Sequence, residues 1–276
     1  MRPTQRLARA RELGLERLED IYWRLRRGLR AGRRLLSPIV RRDVCGTTIA
    51  LHLGSAQEHF RADTYATKEP ETIHWLRERL RDDDVFYDVG ANIGLYALFA
   101  AKLRPACRVY AFEPESHNFS SLCRNIVLNR LQNVVPCAFP LSDHEGFELL
   151  HVYGLEPGAA LHSLGAPSPL REGPATIREG MLATTLDACV SRAGLPPPSL
   201  LKLDVDGMEE RILDGASSML GGDRLRSILV EATESGNQGT SWAENKLADY
   251  GYRLVGRSEW STEIQGLASR NLLFDR

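Results

Sequence analysis

Three charged residues alternate with apolar ones near the end of a short apolar segment, SLLKLDVDGMEERILDGA. Lys202, Asp204 and Asp206 would share one face of a strand there, and leucine and valine side chains the other. A strand inside a parallel sheet is covered on both faces, so burying three charges is costly unless they pair or serve a ligand. One carboxylate could take or orient the proton of a hydroxyl group, while Lys202 fixes its position or stabilises an oxyanion.

Other interpretations of the same residues stay open. Lys202 and Asp204 could form a structural ion pair, and Glu209 could simply favour the dipole of the helix that it starts. Asp204, Asp206 and Glu209 could also hold a hard divalent cation, which the residue types permit and do not require, so no metal is predicted. Glu231, at the end of the next apolar segment, suits a site and a surface equally well.

A second feature is the glycine-containing turn in VFYDVGANIGLYALFAAKL. Asp88 ends an apolar strand, the backbone turns on Gly90, Asn92 and Gly94, and an amphipathic helix follows. Glu113 ends the next predicted strand, nineteen residues beyond Gly94. A glycine turn with a carboxylate at this separation typically holds a ribose at the carboxyl edge of a parallel sheet. The pattern therefore predicts an adenosine-containing cofactor.

The spacing of the turn argues against nicotinamide. Gly-x-Asn-x-Gly differs from the Gly-x-Gly-x-x-Gly fingerprint that holds a pyrophosphate. Asp88 would place negative charge beside the ligand, which disfavours a diphosphate and suits the sulfonium and ammonium groups of S-adenosylmethionine. The alternative is a strand–helix turn whose glycines serve packing only.

Charge is distributed unevenly along the 276 residues. Residues 1–42 contain 13 arginines against four acidic residues, a net charge of +9, and the remainder carries −10. We expect a basic helical extension over 1–42, with its helix at 5–36, and one domain over 43–276. The extension could contact an anionic surface or a partner subunit, or simply pack on the domain.

The five cysteines are widely spaced and include no Cys-x-x-Cys pair. This pattern argues against a disulfide framework or a zinc site and favours a reducing compartment. The N-terminal region lacks the apolar segment of a signal peptide, and no uninterrupted apolar run approaches the roughly 20 residues that cross a bilayer. The expected location is the cytoplasm.

Strand and helix patterns alternate from residue 85 onward, which predicts a doubly wound, mostly parallel α/β sheet. Residues 154–180 are rich in glycine and proline and are predicted to form a long lid or binding loop. The predicted strands lie at 44–53, 85–89, 108–112, 134–138, 147–153, 200–205, 227–231, 252–256 and 270–275. The predicted helices lie at 71–80, 94–103, 116–129 and 208–220, with another before the last two strands.

Taken together, DVGANIG, FEPE, SLCRNIVLN, LSD, TLD, KLDVDGMEERILDGA and ILVEA resemble the FkbM family of S-adenosylmethionine-dependent methyltransferases. The resemblance covers about 85–232 in the right order. It implies a Rossmann-like class I methyltransferase fold and, usually, O-methylation of a sugar or polyketide hydroxyl. Carried over by position, it implies a donor loop of Asp88, Gly90, Asn92 and Gly94, a ribose-binding Glu113, adenine neighbours Ser142 and Asp143, and an acceptor-side group of Lys202, Asp204, Asp206 and Glu209.

One residue departs from the family pattern, since Asp206 stands where glutamate is usual. The histidines 144, 151 and 162 are further candidates for the base that deprotonates a hydroxyl. The rival functions are a nucleic-acid methyltransferase that uses the arginine-rich extension to reach phosphates, and a non-catalytic cofactor-binding scaffold. An acidic body and the lack of an Asn-Pro-Pro-Tyr-type run argue against nucleic acid.

Overall fold

The computed structural model describes residues 39–168, 171, 173–233, 241–259, 261–264 and 267–276. The chain divides into two units after Ile39, and all the other described residues lie in the second unit. The helix predicted over 5–36 lies outside the described residues. The proposed boundary between an extension and a domain at residue 42 stays a prediction, although the first described strand runs across it.

The helices are α1 (Ala56–Lys68), α2 (Pro70–Arg79), α3 (Leu95–Leu103), α4 (Ser116–Leu128), α5 (Leu186–Ser191), α6 (Glu209–Asp214), α7 (Ser217–Gly221) and α8 (Ser241–Asp249). The strands are β1 (Ile39–Val44), β2 (Thr47–His52), β3 (Val85–Val89), β4 (Arg108–Phe112), β5 (Val134–Cys137), β6 (Gly146–Val152), β7 (Ser163–Leu164), β8 (Ile177–Ala183), β9 (Leu200–Leu203), β10 (Ser227–Thr233), β11 (Arg253–Arg257), β12 (Ser261–Ile264) and β13 (Leu267–Asp275).

The main sheet has the order β5-β4-β3-β9-β10-β13-β11, with β12 paired to β13. The five strands from β5 to β10 are parallel, and β13 runs antiparallel between β10 and β11. The carboxyl ends of β3, β4, β9 and β10 therefore meet at one edge. The predicted doubly wound, mostly parallel sheet is confirmed, and the site candidates that follow these strands come together.

Two hydrophobic layers cover the faces of this sheet. One contains buried residues of α1 to α4, and the other contains buried residues of α5 to α8. Every residue of β3 is buried, as expected for a central strand covered on both sides. Trp75 of α2 packs edge-on against Phe86 at 5.9 Å between ring centroids, and its indole N–H donates to Ser227 Oγ at 2.8 Å. These two contacts attach α2 to β3 and to β10.

The glycine- and proline-rich segment 154–180 is not one long loop, so that prediction is partly wrong. It contains β7 and the start of β8, which flank β6 in a separate antiparallel sheet. Strand β6 pairs with β8 over seven positions, from Gly146↔Ala183 to Val152↔Ile177. One face of the β6–β8 pair is exposed to solvent, and on it Phe147 is 69% and Leu182 74% exposed. Because apolar residues lie on this exposed face too, the alternation of apolar and polar residues that predicts a strand is weak.

The helix predicted at 208–220 is broken into α6 and α7, because Gly215 O accepts from Asp187 N and Met219 N donates to the Asp187 carboxylate instead of to Gly215. A Cβ atom at Gly215 would lie 2.3 Å from the carbonyl oxygen of Ser142, so only glycine fits there. Helix α1 was not predicted, although its start carries a capping box in which Ser55 and Glu58 bond each other's backbone. No helix in the described part of the chain combines the length and apolar character needed to cross a bilayer.

Candidate active site

The glycine turn after β3 lies against the end of β9. Gly90 has φ +82°, and a Cβ atom there would lie 1.8 Å from the carbonyl oxygen of Asp204. Gly94 has φ +94° and caps α3, where a Cβ atom would lie 2.5 Å from Leu122. Both positions require glycine, since other residues rarely adopt this conformation and neither site has room for a side chain. The glycine turn thus packs directly against the Lys202–Asp204 group.

Glu113 follows β4 and is 5% exposed. Its two carboxylate oxygens accept hydrogen bonds from the backbone N–H groups of Asn92 (2.8 Å) and Glu115 (2.9 Å). Burial raises the pKa of Glu113 to about 8. Each oxygen keeps a free lone pair, so the fixed carboxylate can accept two further hydrogen bonds from a diol.

Glu115 and Asn118, which the sequence reasoning missed, form the start of α4. Glu115 is 1% exposed and caps the helix by accepting from the N–H groups of His117 (3.0 Å) and Asn118 (2.8 Å). Asn118 in turn accepts from Gly158 N at 2.7 Å and donates to Ala159 O at 3.1 Å. A capping acid before a helix is a recognisable signal, but its link to residues forty positions away is not.

Residues 157–162, which we call the strap, cross the mouth of the cleft and are held from both sides. Ser55 Oγ donates to Pro157 O at 2.5 Å, and Arg61 Nε donates to Gly158 O at 2.6 Å. On the opposite side Leu161 N donates to Asp206 Oδ2 at 2.7 Å, and both residues have positive φ angles of 65° and 57°. Asp206 therefore holds the strap.

Lys202 and Asp204 form a buried ion pair. Lys202 is 1% exposed, its Nζ lies 2.6 Å from Asp204 Oδ2, and it lies 4.9 Å from the ring centre of Tyr96. Burial alone would raise the pKa of Asp204, but the adjacent ammonium group holds it below its usual value. Lys202 and Asp204 thus form the ion pair that the structural interpretation predicts, and Asp204 also lines the cleft. The pair can therefore be structural while Asp204 also serves the site.

Asp88 lies behind this pair rather than in the cleft lining. It is 1% exposed, and neither carboxylate oxygen accepts a hydrogen bond of normal geometry from the described residues. Burial raises its pKa to about 6, against the opposing influence of Lys202. Asp88 therefore contributes negative charge from below the turn and does not reach the surface of the cleft.

Two further carboxyl groups complete this buried cluster. Glu69, between α1 and α2, accepts from the Tyr96 hydroxyl at 3.0 Å. Glu231, near the end of β10, accepts from Ser269 Oγ at 2.9 Å and shares a hydrogen bond with Asp204. Burial is the largest cause that raises the pKa of both glutamates. Glu69 precedes Pro70 at a helix junction, and nothing in the local pattern marks it as a site residue.

The Glu209 side chain stabilises the turn that precedes it. It is 4% exposed and accepts from Val205 N at 2.9 Å and Gly207 N at 3.0 Å. Burial raises its pKa to about 7. Asp204, Asp206 and Glu209 thus face three different sets of partners, and their role in holding a divalent cation stays a hypothesis.

Ser142 and Asp143 lie in a polar network beside the cleft. Arg211 Nη2 donates to Ser142 Oγ (2.8 Å), to Asp143 Oδ1 (2.8 Å) and to Glu148 Oε1 (3.1 Å). The cleft lining from this segment is Phe139, Pro140 and Leu141. Their contact with adenine stays a prediction. Asp143, His144 and Glu148 are also the one group of described side chains close enough to share a metal ion, and the guanidinium already lies among them.

Of the three candidate histidines, His162 lines the cleft. Burial lowers its pKa to about 4, its Nδ1 accepts from Tyr153 N at 3.3 Å, and its Nε2 is buried without a hydrogen-bond partner among the described residues. His151 contacts Gly165 O, and His144 is exposed beside Asp143. A neutral His162 with Nε2 protonated can donate a hydrogen bond to a ligand, but is a weak base.

The cleft has two lobes that share a wall of Lys68, Glu69, Gly90, Asn92, Asp204 and the strap. The Glu113 lobe is lined also by Glu113, Phe112, Phe139, Leu141, Met208 and Glu231. The Tyr96 lobe is lined also by Phe60, Tyr65, Tyr96, Tyr153 and Lys202. Their empty volumes, including the open mouths, are about 1280 and 1920 Å³. Two ligands can therefore meet at Asp204.

The Glu113 lobe fits the nucleoside of S-adenosylmethionine. A fixed carboxylate suits a ribose diol, and Phe139 and Leu141 provide apolar walls for a flat base. Beyond Gly90 the carboxyl groups of Asp88 and Glu69 suit a cation. The sequence reasoning predicted this charge complementarity from Asp88 alone.

Comparisons with known proteins agree with this geometry. The sequence model described as the methyltransferase FkbM domain matches residues 88–254. The chain is 29% identical over 252 residues to the 31-O-demethyl-FK506 methyltransferase FkbM of Streptomyces tacrolimicus, covering 82% of this chain and 94% of that protein. It is 31% identical over 164 residues to the hexuronic acid methyltransferase AglP of Haloferax volcanii, covering 59% of this chain and 62% of that protein.

Among solved structures, a methyltransferase FkbM from Methylobacillus flagellatus KT is similar with a TM-score of 0.48 and 15% identity, covering 80% of this chain and 56% of that one. The precorrin-6y C5,15-methyltransferase of Geobacter metallireducens GS-15 has a TM-score of 0.44 and 18% identity, covering 76% and 89%. The sequence match spans more than half of the chain. This chain belongs to the FkbM family of S-adenosylmethionine-dependent methyltransferases.

Proposed function

We propose that the enzyme transfers a methyl group to a hydroxyl oxygen of a sugar, a glycan or a polyketide-type small molecule. The observation that carries this proposal is the position of Asp204. Its carboxylate is fixed by Lys202 and lines both lobes of the cleft. A hydroxyl group that enters from the Tyr96 lobe would meet the carboxylate at the point where the two lobes join.

The bound donor supplies an electrophilic methyl group on a positively charged sulfur. A hydroxyl oxygen is a poor nucleophile, so a positioned carboxylate that accepts its proton adds roughly 10²- to 10⁴-fold to the rate. Asp204 is ionised because Lys202 lowers its pKa against the effect of burial, and it accepts the proton as the new C–O bond forms and the S–CH3 bond breaks. The proton then leaves to water with release of the methylated product and S-adenosylhomocysteine. The strap lines the junction, and alignment of the reactants contributes up to about 7–11 kcal/mol in favourable cases.

The walls of the Tyr96 lobe suit such an acceptor. Phe60 of α1 is 52% exposed and lies on this lobe with Tyr65, Tyr96 and Tyr153. Aromatic faces bind the apolar faces of sugar rings and macrolides, while tyrosine hydroxyl groups bind their polar substituents. The names of the two curated relatives, which act on an FK506 precursor and on a hexuronic acid, support the same acceptor class.

The remaining partners follow from charge. We propose that the arginine-rich residues 1–42 make peripheral contact with an anionic surface or a partner subunit, and that no nucleic acid is bound.

All five cysteines are free, which supports a reducing compartment such as the cytoplasm. Metal-free activity is expected; loss of turnover in a chelator, restored by Mg²⁺, would contradict it.

The test is transfer of a labelled methyl group from S-adenosylmethionine into separate pools of sugars, lipid-linked glycans and polyketides. Mass spectrometry then locates the added methyl group. We expect a hydroxyl oxygen as the site, and Asp204→Asn enzyme as the inactive control. Donor binding by calorimetry without transfer to any pool would favour the scaffold, and transfer to RNA or DNA would favour the nucleic-acid enzyme.

A further inference from the structure

Glu231 is a partly buried carboxyl group of the cleft that the proposed chemistry leaves without a role. It lies near the carboxyl end of β10 and lines the Glu113 lobe. Parallel pairing of Val230 with Leu203 places it beside Asp204, with which it shares a hydrogen bond, and it accepts another from Ser269 on β13. It therefore contacts the group that accepts the proton.

Two carboxyl groups can share a hydrogen bond only if one of them carries a proton, because ionised carboxylates only accept. Asp204 is the ionised partner, since its Oδ2 lies 2.6 Å from the Lys202 ammonium group. Glu231 Oε1 accepts from Ser269 Oγ at 2.9 Å, which leaves its other oxygen to carry the proton. The geometry of the three partners thus assigns the proton to Glu231.

The charged surroundings of Glu231 agree with this assignment. Asp204 and Asp206 face it from the turn after β9, and Glu69 faces it from the junction of α1 and α2. Burial, together with these three negative groups, raises the pKa of Glu231 well above its usual value. Of the basic groups nearby, Lys202 pairs with Asp204, and Lys68 of α1 lines the same lobe as Glu231.

We propose that Glu231 is a positioning residue for methyl transfer: as a neutral acid it donates a hydrogen bond to Asp204 and so fixes the orientation of that carboxylate toward the acceptor hydroxyl. This inference rests on the proposed function of Asp204. Lys202 and Glu231 each take one lone pair of the carboxylate, and further lone pairs remain on the side of Asp204 that lines the cleft. Glu231 neither gains nor loses a proton over the reaction, since the acceptor's proton goes to Asp204 and then to water.

Two substitutions separate this role from simple structural support. Glu231→Gln keeps a neutral group whose amide N–H donates to Asp204, whereas Glu231→Leu keeps the bulk without a donor. We expect the Gln enzyme to retain at least about a third of kcat and the Leu enzyme to lose about 10- to 100-fold, as expected for a lost hydrogen bond to a charged group. The acidic limb of the kcat–pH profile should move to higher pH in the Leu enzyme only, because Asp204 loses a donor that favours its ionised form.

An infrared measurement tests the proton itself without turnover. The difference spectrum between the wild type and Glu231→Gln at neutral pH should contain the carbonyl stretch of a protonated carboxyl group. Glu113 and Glu209 cancel in this difference. Equal loss of kcat in the Gln and Leu enzymes, or a carboxylate band in place of the acid band, would overturn the proposal. If no acceptor is ever methylated, the infrared result still decides the protonation state, so the two failures are distinguishable.

Discussion

The two lobes of the cleft are built in different ways. The Glu113 lobe takes Asn92, Glu113, Asp204 and Asp206 from turns that directly follow β3, β4 and β9, each within a few residues of a strand. The Tyr96 lobe takes its walls from α1, the start of α3, the strap and Arg171, which are separated by up to about a hundred positions along the chain. The first lobe is thus part of the sheet edge, and the second is assembled around it.

This difference agrees with the proposal that the Glu113 lobe binds the donor and the Tyr96 lobe selects the acceptor. Residues at strand ends are fixed by the core, so the donor site can vary little. The strap is held by Ser55 and Arg61, which donate to its backbone carbonyl groups, and by Asn118, which accepts from Gly158 N. Such segments can change sequence without disturbing the sheet.

Asp204→Asn should have the largest effect, because Asp204 belongs to both lobes. We expect kcat to fall by roughly 10²- to 10⁴-fold, since an amide cannot accept the hydroxyl proton. Donor affinity, measured by calorimetry, should change less than about threefold. Steady-state kinetics with the identified acceptor measures the loss.

A buried Lys202 without its partner could unfold the protein and give the same loss. The double variant Lys202→Met/Asp204→Asn removes both charges, so no buried charge is left unpaired. A folded, donor-binding double variant that turns over normally would show that the pair has only a structural role.

Glu113→Ala should lower donor affinity by about a hundredfold or more, because each hydrogen bond to a charged group contributes about 1.5–3 kcal/mol. A diol donates to the ionised carboxylate, and the pKa of Glu113 is about 8. Wild-type affinity should therefore rise with pH up to about 8 and then level off, whereas Glu113→Gln should show no such rise. Calorimetry at several pH values measures both, and Glu156→Gln, in the Tyr96 lobe, is the matched control.

The same raised pKa has a consequence for folding. Between the unfolded value of roughly 4.3 and the folded value, the folded state binds a proton that the unfolded state lacks. The contribution of Glu113 to stability is therefore largest at low pH and falls as the pH rises toward about 8. Unchanged pH dependence of unfolding in Glu113→Gln would contradict the assignment.

Gly90→Ala should disturb both lobes through the backbone. A methyl group there would lie 1.8 Å from Asp204 O, in addition to the strain of φ +82°. Gly46→Ala is the matched control, since Gly46 has φ +80° and no atom within 4 Å. Chemical denaturation should show Gly90→Ala to be less stable than the control by about 1–3 kcal/mol, the usual penalty for overpacking. Equal stabilities would mean that the close approach is not needed.

Phe60→Ala should have the smallest effect and should be confined to the Tyr96 lobe. We expect the acceptor KM to rise about three- to tenfold through lost aromatic contact, with donor affinity unchanged. Phe147→Ala, on the open face of the separate sheet, is a control with a similarly exposed ring. A change in donor affinity with Phe60→Ala would show that the two lobes are not separate.

Most of the sheet could be predicted because the residue pattern within each strand is typical of a strand. Predicted and observed boundaries agree at β3 and β4 and differ by one residue for α3 and α4. The errors lie where contacts distant in sequence decide, as at Gly215, where the helix is interrupted because Asp187 bonds the backbone groups of Gly215 and Met219. Strand β8 was missed because its residues alternate between partly and fully exposed positions.

The sequence by itself determined the parallel sheet, the glycine turn, Glu113 and the Lys202–Asp204 run, since each depends on residues close together in the chain. Only the tertiary structure decided that Glu69 and Glu231 join Asp204, that Asp206 and Glu209 hold backbone, and that α1 with the strap forms a second lobe. The physical reason is that periodicity and turn chemistry are local, whereas the partner of a buried charge is whatever folding brings beside it.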